Sequence, residues 1–261
     1  LHESGCFVIP NPWNEGSAVI LRELGFAALA STSAGFAFEL ARPDTPTALD
    51  CDEVLEHLRR LVAATDLPVN ADFQNGYGRT AAEVESQVVR CVQTGVAGLS
   101  IEDATGDRDA PLYERAEAVE RVAAARAAID SEGADVLLTA RAECFLVGHE
   151  TPLRESIERL QAFIEVGADV VYAPGLRDLE TIRTLVAEVG PTPVNVLLNG
   201  QAGLTLSDVA AVGVRRVSVG SAMARAAWTA FVHAAKQIQT EGTFDSLTET
   251  LPIAKFNEWF T

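Results

Sequence analysis

Lysine is nearly missing from this chain. Only Lys236 and Lys255 occur among 261 residues, both near the C-terminal end, and every other basic side chain is arginine. No amine falls at a strand end, so Schiff-base chemistry on a central strand is excluded. A pyridoxal phosphate site needs the same amine and is excluded with it. Cysteine is sparse as well. Cys6, Cys51, Cys91 and Cys144 contain no CxxC pair, so their spacing suggests neither a zinc site nor a disulfide framework. Cys51 and Cys91 sit in helical patterns as packed thiols, and a reducing cytoplasm is the expected location. No signal-peptide pattern and no apolar run of about 18 residues is present, so no membrane partner is expected. Positive charge is also short: the formal net charge is −17. Phosphate contacts need clustered Lys and Arg, so nucleic acid is not an expected partner. The negative charge itself reads as solubility.

What the chain does have is apolar material in a regular rhythm. Hydrophobic residues make up 48% of it, enough to bury one large core. Short β-rich runs alternate with helical runs. Strands are predicted at Cys6–Pro10, Ala28–Thr32, Leu67–Asp72, Ala97–Asp103, Asp135–Arg141, Asp169–Ala173, Pro193–Leu198 and Val214–Gly220. Helices are predicted at Ser17–Leu24, Asp50–Ala64, Ala81–Thr94, Tyr113–Asp130, Pro152–Val166, Asp178–Val189, Ser207–Val212 and Ala222–Gln239. Short buried strands between helices imply a parallel sheet covered by helices. Eight such units of about 30 residues imply a (β/α)8 TIM-type barrel. An open doubly wound sheet is the alternative, but no GxGxxG or Walker sequence follows a strand. The barrel is expected over residues 1–242. Residues 243–261 are expected to form a helical extension whose Phe244, Ile253, Phe256, Trp259 and Phe260 need cover from the barrel or from another subunit.

In a closed parallel barrel all strand C-termini open on one face, where barrel enzymes do their chemistry. Three of the predicted strands end in polar groups there: Asp72, Glu102 and Arg141. Asp44 follows the second strand. Acids beside an arginine on such a rim read as a Mg²⁺-type site next to an anion-binding group. Asp72 and Gln74 are two apart and would point the same way in extended chain. Gly76 and Gly78 then allow a tight turn. Of the adjacent acids Glu102 and Asp103, alternation from Leu99 and Ile101 favours Glu102 as the site residue, with Asp103 capping or paired to an arginine. Arg141 is suited to bidentate grip on a carboxylate; a salt bridge to Glu102 or Glu143 is the compatible alternative. Thr32, Ser33 and Ala34 are read as a turn whose hydroxyls and N–H groups suit an anion. Asn195, on the seventh strand, could orient the distal end of a substrate.

These segments together resemble the isocitrate lyase/phosphoenolpyruvate mutase superfamily. The resemblance runs from about Phe7 to Gly242 and rests on Ser33-Ala34-Gly35 through Arg42-Pro43-Asp44, Asp72 through Gly76-Tyr77-Gly78, Ile101-Glu102-Asp103, and Thr139-Ala140-Arg141. It implies a (β/α)8 barrel with a helix swapped between subunits, assembled as a homodimer or homotetramer. It also implies Mg²⁺ (or Mn²⁺) as cofactor and a small 2-oxo acid that passes through an enolate. On this resemblance Asp72 ligates the metal directly, Asp44 and Glu102 hold metal-bound waters, and Gln74 stands where a second carboxylate is usual. Thr32, Ser33 and Ala34 match the turn that takes the substrate carboxylate. Arg141 matches the arginine that holds the substrate and stabilises the enolate.

One departure bears on activity. The lyases of the family carry a Lys-Lys-Cys-Gly-His type sequence after the strand bearing Glu102, with the cysteine as general acid. Here the stretch from Asp103 to Tyr113 has no Cys, Lys or His. Cys144 and His149 are the nearest alternative proton sources; a packed thiol and a surface imidazole are the plainer reading of both. The expectation is a Mg²⁺-dependent lyase or decarboxylase for a small 2-oxo acid or its C–C adduct. A phosphonate mutase or hydrolase on the same scaffold is the first alternative, and a non-catalytic 2-oxo-acid-binding protein the second.

Overall fold

The computed structural model describes residues 1–45, 47–200 and 203–261. It contains eight parallel strands: β1 (Phe7–Ile9), β2 (Leu29–Ala30), β3 (Val69–Asp72), β4 (Gly98–Glu102), β5 (Leu137–Arg141), β6 (Val170–Tyr172), β7 (Val194–Leu197) and β8 (Arg216–Ser218). From β2 to β8 each pairs with its sequence neighbour, and β1 pairs with β8, giving the order β1-β8-β7-β6-β5-β4-β3-β2. The seam between β1 and β2 is bridged by one backbone bond, Ala30 N–H to the Pro10 carbonyl at 3.0 Å. The Asn11 amide reinforces it by donating to the Ser31 carbonyl at 2.9 Å. The result is a nearly closed (β/α)8 barrel. Every expected strand is present, each shorter than expected by two to four residues in all.

The helices are α1 (Glu15–Glu23), α2 (Ser33–Glu39), α3 (Cys51–Ala63), α4 (Ala81–Val92), α5 (Arg115–Ser131), α6 (Pro152–Glu165), α7 (Leu179–Val189), α8 (Leu206–Ala211), α9 (Ala222–Glu241) and α10 (Ile253–Trp259). Their entry signals are local. Asp50 and Glu53 form a reciprocal capping box on α3, and Thr80 caps α4. Val54, Leu55, Leu58 and Leu61 of α3 are buried at helical spacing, so that face meets the sheet.

Alternation along the strands divides the core in two. Leu99 and Ile101 of β4, Leu138 and Ala140 of β5, and Val196 of β7 point outward into the layer under the helices and are buried. Their alternates Ser100, Glu102, Thr139, Arg141, Asn195, Arg216 and Ser218 point into the barrel and line its cavity. The barrel interior is therefore polar towards its C-terminal end.

Two features differ from the sequence reading. Thr32–Ala34 is not a free turn. Thr32 is the N-cap of α2, its hydroxyl accepting the Gly35 N–H, and Ser33 is the first helical residue. Helix α9 does not lie on the barrel as the other helices do. Of its 20 residues only Ala224 is buried. Trp228, Phe231 and Val232 are exposed along it, Phe231 by 63%. In the extension, α10 meets α1 and buries Trp259, yet Ile253 stays 80% exposed. Among the described residues no helix is long and apolar enough to cross a membrane.

Candidate active site

The C-terminal mouth of the barrel opens into a cavity of about 420 Å³. Strand ends deliver its charged groups. Asp72, the last residue of β3, is held on both oxygens. Its Oδ2 accepts the backbone N–H of Ser33 at 2.9 Å and the Ser33 hydroxyl at 2.8 Å. Its Oδ1 accepts from Arg141 Nη1 at 2.9 Å. Arg141, the last residue of β5, also reaches Glu102 Oε2 at 3.0 Å and Glu143 Oε1 at 2.8 Å. One guanidinium thus gathers three carboxylates from three strand ends. Its carbon lies 5.1 Å from the centre of the Tyr172 ring, a further favourable contact for a cation.

The other sequence candidates fall as follows. Asp44, in the loop after α2, lines the cavity mouth. Gln74 also lines it, but not by the extended-chain geometry expected. The strand ends at Asp72, and Gln74 turns to a φ of +45°, so the two-residue alternation does not carry that far. Of the glycines that follow, Gly76 has a φ of +85°. Gly78 is needed for space: a Cβ there would sit 2.4 Å from the Val84 backbone nitrogen. Asn195 is buried at the cavity floor, with its amide donating to Ser218 Oγ at 3.0 Å and accepting from Arg216 Nε at 3.0 Å. Asp103 faces away from the cavity and pairs with an arginine, Arg159, at 3.1 Å. Its Oδ1 accepts the Glu143 N–H at 2.8 Å, which positions Glu143 against Arg141.

Cys144 and His149 do not reach the site. Neither lines the cavity. Cys144 is fully buried, and burial pushes its thiol up to about 11. His149 Nδ1 accepts the Thr151 N–H at 3.2 Å. The loop between β4 and α5 is pinned by a bridge between Ala104 and Leu112, and Asp107, Arg108 and Asp109 on it are exposed.

The acids repel one another. Burial pushes the Glu102 carboxyl up to about 8, with Glu143, Asp72 and Asp103 adding to the rise and Arg141 opposing it. Glu143 is raised by burial too, against the pull of Arg141. Asp44 is raised by burial and by Asp72. The raised Glu102 and Glu143 carboxyls show three acids crowded around one arginine, and a divalent cation would favour their ionised forms. The donors facing the cavity are carboxylate and amide oxygens, the set that hard cations take. Among the described residues no three acids are gathered closely enough to cage an ion by themselves. Mg²⁺ takes one or two carboxylates and completes its shell with water and substrate. The donor chemistry therefore fits such an ion.

Glu143, Tyr172, Asn11 and Arg216 also line the cavity and were not singled out as site residues from the sequence. Glu143 was readable: Thr139, Arg141 and Glu143 continue the two-residue alternation of β5. So was Arg216, a charged residue inside a strand that burial should have made apolar. Asn11 has no local signal. Its Oδ1 takes the N–H groups of Val219 and Gly220 at 2.9 and 2.8 Å, tying the ends of β1 and β8 across 208 residues of sequence.

Comparison with known proteins places this geometry. A family model described as phosphoenolpyruvate phosphomutase matches residues 1–239. A solved structure from Burkholderia cenocepacia J2315, provisionally described as a lyase/mutase, superposes with a TM-score of 0.95 at 45% identity, covering 100% of this chain and 92% of that one. The oxaloacetate decarboxylase 2 of Pseudomonas fluorescens (strain Pf0-1) is 30% identical over 237 residues, 88% of this chain and 79% of the relative. A phosphonopyruvate hydrolase solved with oxalate and Mg²⁺ superposes with a TM-score of 0.85 at 26% identity, over 97% of this chain and 89% of that one.

Proposed function

The chain belongs to the isocitrate lyase/phosphoenolpyruvate mutase superfamily, and we propose that it is a Mg²⁺-dependent lyase or decarboxylase for a small 2-oxo acid, with oxaloacetate the preferred candidate. The observation that carries this reading is the grip of Arg141 on Asp72, Glu102 and Glu143 at the barrel mouth. It joins a cation site's oxygen donors to an arginine able to face a substrate anion. Asp72 would hold the ion directly, Asp44 and Glu102 would act through water, and Gln74 would complete the set. A divalent cation held there would supply Lewis-acid stabilisation of negative charge on a substrate oxygen.

The remaining work falls to side chains. Arg141 offers its guanidinium to the developing enolate charge, preorganised by the acids around it and by the Tyr172 ring. Asp103 and Arg159 hold Glu143 in register with Arg141. Proton delivery is the weak part of the site. No thiol or imidazole lies on the loop from Asp103 to Tyr113, and Cys144 is buried away from the cavity. CO₂ departs as a neutral molecule without help from an acid, and the pyruvate enolate left behind can take its C3 proton from water, which favours oxaloacetate over substrates whose departing fragment is itself a carbanion.

The likeness to a phosphonopyruvate hydrolase favours P–C bond chemistry as the second reading. Turnover of oxaloacetate, phosphonopyruvate and methylisocitrate by one Mg²⁺-loaded preparation separates the two. CO₂ release from oxaloacetate at ordinary enzyme rates is expected. Faster phosphate release from phosphonopyruvate would replace the first reading by the second. Binding of 2-oxo acids without turnover would make the protein a binding module.

We also propose that residues 1–242 form the catalytic barrel and that α9 with the extension at 243–261 covers a second copy in a homodimer or homotetramer. The exposed Trp228 and Phe231 on α9 and Ile253 and Phe260 beyond it support this. The four free thiols suit the reducing cytoplasm as the compartment.

A further inference from the structure

The loop after β3 concentrates the distorted backbone of the cavity. Among the described residues three non-glycine residues have a positive φ. Two of them, Gln74 at +45° and Tyr77 at +54°, sit in this loop, with Gly76 at +85° between them. Side chains other than glycine rarely take such angles, and a run of them persists only where the surroundings hold it. The loop carries Gln74, which lines the cavity. A relaxed backbone at this position would redirect its side chain.

What holds the loop lies behind it, on α5. Arg121 is 1% exposed and is the largest fully buried side chain among the described residues. Its bonds go to backbone carbonyls of this loop rather than to an acid. Nη2 donates to the Asn75 carbonyl at 2.9 Å and to the Gly78 carbonyl at 2.7 Å. Nη1 reaches the Arg79 carbonyl at 3.5 Å. The guanidinium carbon lies 4.1 Å from the centre of the Tyr113 ring. Burying an arginine without an acid is costly, and the packing of α5 does not ask for it. The other residues it buries, Ala118, Val122, Ala125, Ala128 and Ile129, are all apolar. The charge of Arg121 is spent on the course of the loop.

The loop is gripped from the cavity side as well. The Glu102 N–H donates to the Gln74 carbonyl at 2.9 Å. Asn75 Oδ1 accepts the Tyr77 N–H at 3.2 Å, and its Nδ2 reaches the Ala104 carbonyl at 3.4 Å and Tyr113 Oη at 3.3 Å. The Gln74 carbonyl is therefore fixed by β4, and the next carbonyl along the chain by Arg121. Tyr113 links the two sides, its ring over the guanidinium and its hydroxyl on Asn75. Arg121 itself does not line the cavity, so it touches neither an ion nor a substrate there. Asp72 does not depend on it, being held by Ser33 and Arg141.

We propose that Arg121 is a positioning residue for the cation site, holding the distorted loop so that the Gln74 amide oxygen meets a divalent cation beside Asp72. It acts on the ion through Gln74 alone. Its removal therefore costs cation affinity only while Gln74 is present. This rests on the Mg²⁺ reading of the cavity, and the test separates the two.

The test is a double-mutant cycle. Mg²⁺ is titrated by calorimetry into the wild type, Arg121→Met, Gln74→Ala and the two combined, each well below its Tm. Arg121→Met should weaken Mg²⁺ about 10- to 100-fold, as loss of a partner behind the ligand shell does. Gln74→Ala should weaken it to a similar degree, and Arg121→Met added to it should cost no more than about threefold further. Arg121→Lys should restore part of the affinity. An arginine that only stabilises the fold gives another result: Tm falls while Mg²⁺ affinity holds, or the two losses multiply. Either overturns the proposal, as does unchanged Mg²⁺ affinity in Gln74→Ala. Should Arg121→Met fail to fold, Arg121→Lys runs the same cycle. A loss that disappears in the Gln74→Ala background supports the proposal; no loss, or a loss that persists there, overturns it. Oxaloacetate turnover by the wild type with multiplying losses overturns the positioning residue alone. The expected cycle without turnover of any 2-oxo acid overturns the enzyme and keeps the positioning residue. A wild type that binds no Mg²⁺, with or without pyruvate, overturns both.

Discussion

Arg141 Nη1 donates to Asp72 Oδ1 at 2.9 Å, joining the end of β5 to the end of β3 across the barrel mouth. The same carboxylate is the proposed direct ligand of the cation. Ion and arginine therefore compete for Asp72, and the acids cannot all serve both at once.

The first prediction follows from that competition. Asp72→Asn removes the ligand charge and should abolish Mg²⁺-dependent binding of pyruvate or oxalate. Glu102→Gln and Asp44→Asn act through water and should weaken Mg²⁺ about 10- to 100-fold, as changes behind the ligand shell do. Calorimetry with Mg²⁺ checks all three. Unchanged Mg²⁺ affinity in Asp72→Asn would remove it from the site.

The second concerns pH. The folded chain raises Glu102 from 4.5 to about 8, through burial first and neighbouring acids next. Between those values the folded state binds more protons than the unfolded chain. The stabilisation is full below the unfolded value and is lost as pH rises through about 8. The Tm of the metal-free protein should therefore fall across this window, and Glu102→Gln should flatten the fall. Mg²⁺ favours the ionised acids, so its affinity should rise with pH over the same range. A metal-free Tm that climbs across the window contradicts the assignment.

The rim was more legible in the sequence than the floor, of which only Asn195 was singled out. Asp72, Glu102 and Arg141 stand at strand ends, where alternation and the polar break in an apolar run mark them. Gln74 lined the cavity for a reason the sequence does not carry, since its positive φ breaks the two-residue rhythm. Helix α2 was hidden because Ser33-Ala34-Gly35 reads as a turn, although Thr32 supplies its cap. Asn195, Arg216 and Ser218 form a polar layer whose bonding needs three strands at once. Polar groups in short buried strands mark Asn195 and Arg216 singly, but no local pattern reports that they bond to one another.

The third prediction is structural. Arg159 and Asp103 form a buried pair, their side chains 7% and 1% exposed, and Arg159 also donates to the Tyr113 carbonyl at 2.9 Å. Arg159→Leu leaves Asp103 buried and unpaired, at a cost of about 3–5 kcal/mol. Urea unfolding should show that loss. Asp103→Leu added to it should recover part, because the stranded charge is gone. A loss below about 1 kcal/mol would mean that water reaches Asp103.

The fourth concerns assembly. Phe231, Phe244 and Ile253 are exposed by 63%, 61% and 80%, more apolar surface than a monomer keeps free on one segment. The chain should be a dimer or tetramer in light scattering, and removal of residues 243–261 should dissociate or aggregate it. A monodisperse monomer of the intact chain would overturn the proposed assembly.

The last prediction separates this protein from the isocitrate-cleaving members its fold resembles. Cleavage of isocitrate or methylisocitrate expels a carbanion that must be protonated. A positioned acid contributes about 10²–10⁴ in rate to such a step. The loop after β4 presents Asp107, Arg108 and Asp109 to solvent and carries no thiol or imidazole. The nearest thiol, Cys144, is fully buried and pushed up to about 11, so it is neither placed nor poised to donate. Decarboxylation of oxaloacetate expels neutral CO₂, and the pyruvate enolate left behind is a weaker base than such a carbanion and can take its C3 proton from water. The kcat/KM of oxaloacetate should therefore exceed those of isocitrate and methylisocitrate by about 10² or more, measured on one preparation with Mg²⁺. Cys144→Ser should change none of the three rates materially. Isocitrate cleavage at ordinary enzyme rates that vanishes in Cys144→Ser would show that the thiol reaches the cavity after a rearrangement of the loop, and would return the protein to the lyases that use a cysteine acid.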